Sequence, residues 1–406
     1  MICPPSVLLT GAASGIGRAT ALLLAGSGWH CVLVDRDADG LAQLMPQLQA
    51  HSGIHHLARV VDLTDADAIE ALAAGLPELD AMIHNAGISD TSGTALTDQP
   101  ASQLQRVLDL NLRAPQRLTT ACLPLLRPGG RIVNVASGAG LQAIPWRGAY
   151  SPSKAGLIAL TQALAAARPD LVVNVLCPGF VRTELVESLI AAGRLDPAEA
   201  VSKIPLGRMA NPLEMAHVLR FLAGQGAAPL RGQVVAVNGG SSLYGGSRRL
   251  PPATLAPLAL DLPLSLRVEG HQDAAWVAMA STEPASVDEQ GAYPAVLDLT
   301  PLAAPAGELW RAVHASASRF AQRHPAQASL TLLLPVRETA DWTLASDAAA
   351  ARMLVATLAC EWGPRHLRIN ALQVPDFADP GALGSLVHFV AGAGAQYLTG
   401  QTLSVA

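Results

Sequence analysis

The stretch that decides the fold lies near the amino terminus and reads Val7-Leu8-Leu9-Thr10-Gly11-Ala12-Ala13-Ser14-Gly15-Ile16-Gly17. The apolar run to Thr10 predicts a strand, and the helical pattern of residues 17–26 predicts a helix directly behind it. Glycines between the two allow a tight turn and a close approach of the backbone to a bound group. Amides and a partial positive charge at the start of a helix favour an anion such as a pyrophosphate. The stretch therefore predicts a strand–turn–helix unit that binds a nucleotide.

Strand and helix patterns alternate from this unit to about residue 240. Further strands are predicted at residues 31–35, 59–62, 81–84, 131–136, 172–176 and 233–238. Helices are predicted at residues 41–50, 101–126 and 149–167. Such alternation is typical of right-handed βαβ units, so we predict an α/β fold built on a doubly wound parallel sheet.

A change of composition at residues 239–257 divides the chain. Gly239, Gly240, Gly245 and Gly246 are followed by Pro251, Pro252 and Pro257. We therefore predict a nucleotide-binding domain over residues 1–242, a linker over 243–257 and a smaller α/β domain over 258–406. In the smaller domain we predict strands at 275–280, 295–299, 329–334 and 368–372 and helices at 307–323, 346–362 and 380–391.

The smaller domain also repeats part of the first one. Residues 163–165 and 173–178 resemble residues 357–359 and 369–375, and residues 230–237 resemble residues 398–405. A repeat of this length indicates a duplication followed by decay. The second domain is therefore expected to have the same type of fold as the first.

An acidic residue ends the second predicted strand. Asp35 lies 18 positions beyond Gly17, and a carboxylate there can accept hydrogen bonds from both hydroxyls of an adenosine ribose. It would also repel a 2′-phosphate. Arg36 follows directly and could contact such a phosphate instead. We take the acid as the stronger determinant and predict NAD as the cofactor, with NADP as the less favoured choice.

Tyr150 and Lys154 form the second informative motif. The chain has four tyrosines and only two lysines. Positions i and i+4 share a helix face, so the phenol and the ammonium can converge. A nearby ammonium stabilises the phenolate and lowers the pKa of a tyrosine from about 10. The pair therefore predicts a general acid/base that moves a proton on or off an oxygen.

Composition limits the remaining classes of function. Half of the 406 residues are hydrophobic and the net charge is -5, without a basic stripe that would suggest nucleic acid. The scattered cysteines indicate a reducing compartment, and the histidines at 51, 55 and 56 lack acidic or cysteine partners for a metal. The first strand leaves no room for a signal peptide, and no apolar run reaches the ~18 residues of a membrane span. A cytoplasmic protein without a metal or a membrane partner is expected.

Together these motifs resemble the short-chain dehydrogenase/reductase family over residues 1–242. The motifs are the turn at 10–17, Asp62 after the third strand, Asn85-Ala86-Gly87, Asn111, Ser137, Tyr150 with Lys154, and Pro178-Gly179 with Thr183. The resemblance implies a Rossmann-like fold and a catalytic set of Tyr150, Lys154, Ser137 and Asn111. It implies cofactor contacts from Gly11, Ser14, Gly15, Ile16, Gly17, Asp35, Arg36, Asp62, Leu63, Asn85, Ala86, Gly87, Tyr150, Lys154, Pro178, Gly179, Val181 and Thr183. In that scheme Ser137 holds the substrate oxygen, Asn111 helps to hold a proton-relaying water, and Thr183 contacts the carboxamide.

The expected reaction is hydride transfer between NAD(H) and a secondary alcohol or ketone. Gln142, Trp146 and Arg147 lie between the serine and the tyrosine and could line the substrate pocket, although Trp146 could equally pack in an interface. Residues 184–200 are expected to form a mobile lid. Two alternatives stay open: an NADPH-dependent reductase of the 3-oxoacyl type, and a scaffold or sensor that binds NAD without turnover.

The second domain is expected to be catalytically inactive. Residues 347–351 read Asp-Ala-Ala-Ala-Ala where a Tyr–Lys pair would be needed, and no glycine-rich turn follows a strand. The resemblance implies subunits that pair through two long helices, which this domain retains in degenerate form. We therefore expect a homodimer in which the second domain packs as a surrogate subunit.

Overall fold

The computed structural model describes residues 4–90, 92–270, 274–280, 291–336, 342–375 and 378–405. The chain divides into two compact units. The first contains Met1–Ala192 and Asn211–Val235, and the second contains Gly193–Ala210 and Ala236–Ala406. This division assigns residues 193–210 to the second unit. The domain limits predicted from composition are continuous in sequence and place these residues in the first domain. Those limits, and the linker over 243–257, stay predictions.

A seven-stranded parallel sheet forms the centre of the first fold, as predicted. Its strands are β1 (Ser6–Thr10), β2 (His30–Asp35), β3 (Leu57–Val60), β4 (Leu79–His84), β5 (Leu126–Val135), β6 (Val172–Pro178) and β7 (Val234–Val237). They lie in the order β3-β2-β1-β4-β5-β6-β7. The order reverses between β1 and β4, and ligands of open α/β sheets bind in the crevice beyond the carboxyl ends at such a point.

Helices connect the strands and cover the sheet. They are α1 (Gly15–Gly26), α2 (Ala38–Ser52), α3 (Ala66–Ala74), α4 (Ala101–Leu108), α5 (Ala114–Cys122), α6 (Tyr150–Ala167), α7 (Glu184–Ala191) and, after α8 (Pro197–Val201) of the second unit, α9 (Pro212–Ala223). Apolar strand residues such as Leu8 and Met82 are fully buried against Ile69 of α3 and Leu118 of α5. This burial of β-branched and leucine side chains is the main term that holds the helices on the sheet.

The single long helix predicted for residues 101–126 was wrong. The structure breaks it into α4, a π-helical segment at Asp109–Arg113, α5 and a short 3-10 turn at Leu123–Leu125. Strand β5 then begins at Leu126, earlier than the predicted residue 131. π-helical segments are rare and occur mostly as single turns inside α-helices, so the helical pattern of the sequence did not predict this one.

A smaller five-stranded parallel sheet forms the second fold. Its strands are β8 (Leu264–Glu269), β9 (Tyr293–Asp298), β10 (Ser329–Pro335), β11 (Arg368–Val374) and β12 (Thr402–Ser404). Their order is β12-β11-β10-β9-β8. This matches the part of the first sheet from β7 to β1 and lacks counterparts of β2 and β3. The second fold is therefore a shortened copy of the first type, without the strands that carry Asp35 and precede Asp62.

The helices of the second fold are α10 (Ala274–Ala280), α11 (Leu309–Arg323), α12 (Trp342–Trp362) and α13 (Pro380–Ala391). The predicted strand at 275–280 was wrong, because this alanine-rich run forms α10. Strand β8 was missed, although Leu264, Leu266 and Val268 alternate with polar residues as in a half-buried strand. Short apolar runs do not distinguish a helix from a strand by periodicity alone. This explains both the wrong strand at 275–280 and the missed strand β8.

Across the residues that the structure describes, no helix combines the length and the apolar character that a membrane crossing requires.

Candidate active site

The turn between β1 and α1 is built so that only glycine fits at two of its positions. Gly11 has φ +66°, and a Cβ there would lie 2.8 Å from the Ala86 Cα. A Cβ on Gly17 would lie 1.8 Å from the Gly11 carbonyl oxygen. A left-handed residue and a backbone contact this close both exclude a side chain. The turn is thus pressed against the loop after β4.

Thr10 and Asn85 tie these two segments together. The Thr10 Oγ1 accepts hydrogen bonds from the backbone amides of Asn85 at 3.0 Å and Ala86 at 3.1 Å. The Asn85 Nδ2 donates to the carbonyls of Thr10 at 3.1 Å and Gly11 at 3.0 Å. The structure therefore brings the predicted residues Asn85 and Ala86 to the glycine turn, where they support the backbone.

The start of α1 suits a dinucleotide pyrophosphate. Ser14 is the N-cap residue and is exposed, and its side chain caps no helix amide. The first turn of α1 contains no acidic residue of its own. Backbone amides and the helix dipole at a glycine turn form an anion site, so the residues present at Gly15 and Ile16 fit the phosphate part of a nicotinamide dinucleotide.

A carboxylate from α7 lies at this same helix start. The Gly15 amide donates to the Glu184 Oε2 at 2.9 Å, and Arg18 forms an ion pair with Glu184 at 3.0 Å. Thr183 is close as well, since a Cβ on Gly15 would meet its Cγ2 at 3.1 Å. The segment after β6 therefore reaches the glycine turn, and the contact of Thr183 with the cofactor carboxamide stays a prediction. The sequence did not single out Glu184.

Asp35 lies beside the turn at the end of β2. Its Oδ2 accepts from the Ala13 amide at 2.9 Å, and its Oδ1 accepts from the Asp37 amide at 3.1 Å. Each oxygen keeps a lone pair for a ribose hydroxyl. Arg36 is exposed next to it.

Asp62 and Leu63 follow β3 at the same carboxyl edge. The Asp62 Oδ1 accepts from the Thr64 amide at 2.9 Å and from the Thr64 hydroxyl at 2.7 Å. These two hydrogen bonds are the main reason that the pKa of Asp62 is lowered, and Arg36 and Arg106 lower it further. Asp62 is therefore ionised at neutral pH and can accept hydrogen bonds, while Leu63 is buried.

Ser137 and Tyr150 meet at the ends of β5 and α6. Tyr150 is the first residue of α6, and its phenol is hydrogen-bonded to the Ser137 side chain. Burial raises the pKa of the Tyr150 phenol, whereas the Ser137 hydrogen bond and the Arg147 guanidinium oppose this rise. The lowered pKa expected from the sequence was wrong for the chain alone, because loss of solvation outweighs the nearby positive charge.

Lys154 lies one turn further along α6 and is buried. Its Nζ donates to the Val135 carbonyl at 2.9 Å and lies 5.9 Å from the centre of the Tyr150 ring. Loss of solvation lowers the pKa of Lys154 to about 8. A Cβ on Gly87 would lie 3.2 Å from this Nζ. The ammonium is thus enclosed between β5, α6 and the loop after β4.

Asn111 lies in the π-helical segment and is fully buried. Its Oδ1 accepts from the Ile88 amide at 2.8 Å, and its Nδ2 donates to the Ile88 carbonyl at 2.8 Å and to the Ser153 Oγ at 3.0 Å. Ser153 in turn donates to the Tyr150 carbonyl at 2.7 Å. Asn111 therefore links the loop after β4 to the helix that carries Tyr150. Ser153 was not singled out from the sequence, although it stands next to Lys154.

The segment after β6 passes close to the serine. The Pro178 carbonyl lies 3.6 Å from the position of a Cβ on Gly138, and Val181 is buried. Thr183 accepts from the Val186 amide at 3.3 Å and so caps α7. Gly179, partly exposed, completes the predicted set in this segment. All four residues lie at the carboxyl edge that also carries Ser137.

The doubly wound sheet thus carries Ser137, Tyr150 and Lys154 at the same carboxyl edge as the glycine-rich turn. Residues 11–242 match the family model adh_short_C2, described as enoyl-(acyl carrier protein) reductase, and the chain therefore belongs to the short-chain dehydrogenase/reductase family.

Two relatives of this family are 34% and 39% identical to the chain over the matched residues. An uncharacterized short-chain type dehydrogenase/reductase, y4vI, of Sinorhizobium fredii is 39% identical over 240 residues, which are 58% of this chain and 43% of that protein. The chain thus matches less than half of that relative's length. The 3-oxoacyl-[acyl-carrier-protein] reductase FabG of Thermotoga maritima is 34% identical over 241 residues, which are 57% of this chain and 96% of that protein.

Solved structures cover a similar share of the chain. A crystal structure of levodione reductase has a TM-score of 0.55 at 29% identity and covers 59% of this chain and 97% of its own. An actinorhodin polyketide ketoreductase variant crystallised with NADPH has a TM-score of 0.55 at 30% identity and covers 59% of this chain and 98% of its own.

Proposed function

We propose that the protein catalyses reversible hydride transfer between NAD(H) and a secondary alcohol or ketone. The observation that carries the proposal is the convergence of the Ser137 hydroxyl, the Tyr150 phenol and the buried Lys154 ammonium beside the glycine turn. When bound, the nicotinamide cofactor supplies or accepts the hydride. In oxidation the C–H bond loses its hydride and the O–H bond loses its proton; reduction reverses both.

The chain's own residues handle the proton and orient the substrate. The Tyr150 Oη takes the hydroxyl proton during oxidation and returns it during reduction. The Ser137 Oγ hydrogen-bonds the substrate oxygen, where negative charge develops. The Lys154 charge, enclosed next to the phenol, stabilises the phenolate form. Asn111 positions Tyr150 through Ser153 rather than by contact with the substrate.

We favour NAD over NADP because of Asp35. Its carboxylate is fixed by the amides of Ala13 and Asp37 at the end of β2, where it would accept from a ribose and repel a 2′-phosphate. Absorbance assays with a panel of secondary alcohols, polyols and hydroxy acids, run with each cofactor, test this. The proposal predicts NAD-dependent oxidation of at least one compound; equal or better use of NADP would overturn the choice of cofactor.

A second candidate function is NADPH-dependent reduction of 3-oxoacyl groups. It is favoured by the names of relatives such as the Thermotoga FabG and by the NADPH in the ketoreductase structure. The exposed Arg36 offers a partner for a 2′-phosphate. Replacement Asp35→Ser should then raise the use of NADP(H) in this protein, whereas Arg36→Gln should lower it if Arg36 already serves that phosphate.

We also propose that the second unit is not catalytic and that the protein is a homodimer. Its fold lacks counterparts of β2 and β3, and the Asp347 carboxylate accepts from the Leu309 amide at 3.0 Å to cap α11. Gly270, with φ +83°, directly follows β8, as Gly11 follows β1 in the first fold. Light scattering should give about twice the chain mass of 41.9 kDa. A monomer or a tetramer would contradict the dimer.

A further inference from the structure

Arg147 lies beside the proposed proton-transfer group. It precedes Tyr150 by three residues in the loop that joins Ser137 to α6. Its Nη1 approaches the Ser89 Oγ at 3.4 Å. Ser89 follows Gly87, whose backbone faces the Lys154 ammonium. The guanidinium is also near enough to oppose the rise in the pKa of Tyr150. Arg147 and Lys154 thus border the same phenol.

The backbone around Arg147 is held in an unusual conformation. Trp146 has φ +58° and Gly148 has φ +53°, and a non-glycine residue in this region stores about 1–3 kcal/mol of strain. Gly148 packs against two buried acceptors, since a Cβ there would lie 2.5 Å from the Asp90 Oδ2 and 2.6 Å from the Gln99 Oε1. Trp146 is 63% exposed, whereas Arg147 is half-buried. The turn therefore presents the arginine rather than the tryptophan toward the protein.

No carboxylate of the described residues forms an ion pair with Arg147. Arg18 and Arg182, by contrast, are paired with Glu184 and Glu187. A half-buried cation without a counterion is unfavourable unless a ligand supplies one. Lys154 is a second cation near the same phenol, with its Nζ 5.9 Å from the centre of the ring.

We infer that Arg147 is a specificity-determining residue that binds a carboxylate of the substrate, and that the substrates are short oxo acids and the corresponding hydroxy acids. A guanidinium matches a carboxylate with two parallel hydrogen bonds, which orients the ligand as well as binding it. The inference rests on the proposed function and names its substrate class. A neutral thioester of the 3-oxoacyl type has no charge for this residue to bind.

The test compares 3-oxobutanoate with its neutral methyl ester. Steady-state reduction of both is measured with NADH for the wild type, Arg147→Gln and Arg147→Lys. The wild type should prefer the acid by at least about tenfold in kcat/KM, since charged hydrogen bonds contribute strongly to affinity. In Arg147→Gln the preference should fall to about one through a higher KM for the acid, because a change in the Tyr150 phenol affects acid and ester alike and cancels in their ratio. Arg147→Lys should keep part of the preference.

Arg168→Gln is the matched control, because Arg168 is a partly exposed arginine at the far end of α6 and pairs with Asp170. It should retain the full preference. Equal use of acid and ester by the wild type, or an unchanged preference in Arg147→Gln, would overturn the inference.

Binding separates this inference from the proposed function. Should neither compound be reduced, the panel of alcohols, polyols and hydroxy acids still tests the proposed reaction, and calorimetric titration with butanoate and butanamide in the presence of NAD decides the role of Arg147. Binding of butanoate alone, lost in Arg147→Gln, supports the inference. If the wild type binds butanoate and butanamide equally, or does not bind butanoate, the inference is overturned.

Discussion

The Glu184 carboxylate accepts a hydrogen bond from the Gly15 amide at 2.9 Å and so places a negative charge at the amino terminus of α1. A dinucleotide would bring its pyrophosphate to this helix start. The chain thus supplies its own anion at the place where the cofactor's anion is expected, and α7 must shift that carboxylate when the cofactor binds.

Replacement Glu184→Gln should therefore strengthen cofactor binding. Removal of the competing charge near a helix amino terminus predicts a dissociation constant for NADH that is about two- to fivefold lower, measured by titration of cofactor fluorescence. The control is Glu187→Gln on the same helix, whose carboxylate pairs with Arg182 instead. Weaker binding by Glu184→Gln would mean that the carboxylate assists the cofactor.

Gly148→Ala should destabilise the protein and lower turnover. The new Cβ would combine a left-handed backbone with a clash against Asp90 and Gln99, so we expect a loss of about 2–4 kcal/mol in the free energy of unfolding by urea. Gly53→Ala isolates the first effect, because Gly53 has φ +63° with open space around it. Its loss should be about 1 kcal/mol. If both variants lose the same free energy of unfolding, the close packing of Gly148 against Asp90 and Gln99 is contradicted.

Asn111→Leu should remove the link between the loop after β4 and α6. It leaves the Ile88 amide and carbonyl without their partner in a buried place, so the free energy of unfolding should fall by about 2–5 kcal/mol. Because Asn111 positions Tyr150 through Ser153, kcat should fall more than the affinity for the cofactor. The exposed Gln116→Leu on α5 is the control and should change neither quantity. A stable, fully active Asn111→Leu variant would refute this role.

The alternation of strands and helices and the glycine turn were sufficient to predict the parallel sheet. Each depends on local pattern and on turn geometry that only certain residues allow. The positions of Ser137, Tyr150 and Lys154 followed from the family resemblance. The contact between Glu184 and Gly15 joins residues 169 positions apart and depends on where α7 packs, which no local pattern encodes.

The direction in which the pKa of Tyr150 shifts could not be predicted from the sequence either. A four-residue spacing predicts proximity to Lys154, but the amount of solvent removed from both groups depends on β5, β6 and the loop after β4 together. The run at 275–280 and strand β8 illustrate a second limit, because short apolar segments satisfy both periodicities and neighbouring strands decide between them.

Stability should decline in mild acid because of His84. Burial lowers the pKa of His84 to about 4, and its ring is hydrogen-bonded to Thr119 at 3.0 Å. Below pH ~6.5 the unfolded chain takes up a proton that the folded chain resists, so the free energy of unfolding falls as the pH drops toward 4. The contribution is about 3 kcal/mol between these limits.

His84→Gln should flatten this part of the urea-unfolding profile between pH 7.5 and 4.5, because glutamine does not titrate. The exposed His314→Gln provides the control and should leave the profile as steep as in the wild type. A profile that is equally steep in His84→Gln would assign the acid sensitivity to other groups, among which burial also lowers the pKa values of His30 and His56.

The most direct test of the account is the turnover of Tyr150→Phe with NADH bound. The variant keeps the ring that packs at the start of α6 and loses only the hydroxyl that moves the proton. We expect kcat to fall at least about a thousandfold, consistent with loss of general acid/base catalysis, while the dissociation constant for NADH changes by no more than about threefold. Turnover within tenfold of the wild type would contradict the central claim that the Tyr150 phenol transfers the proton.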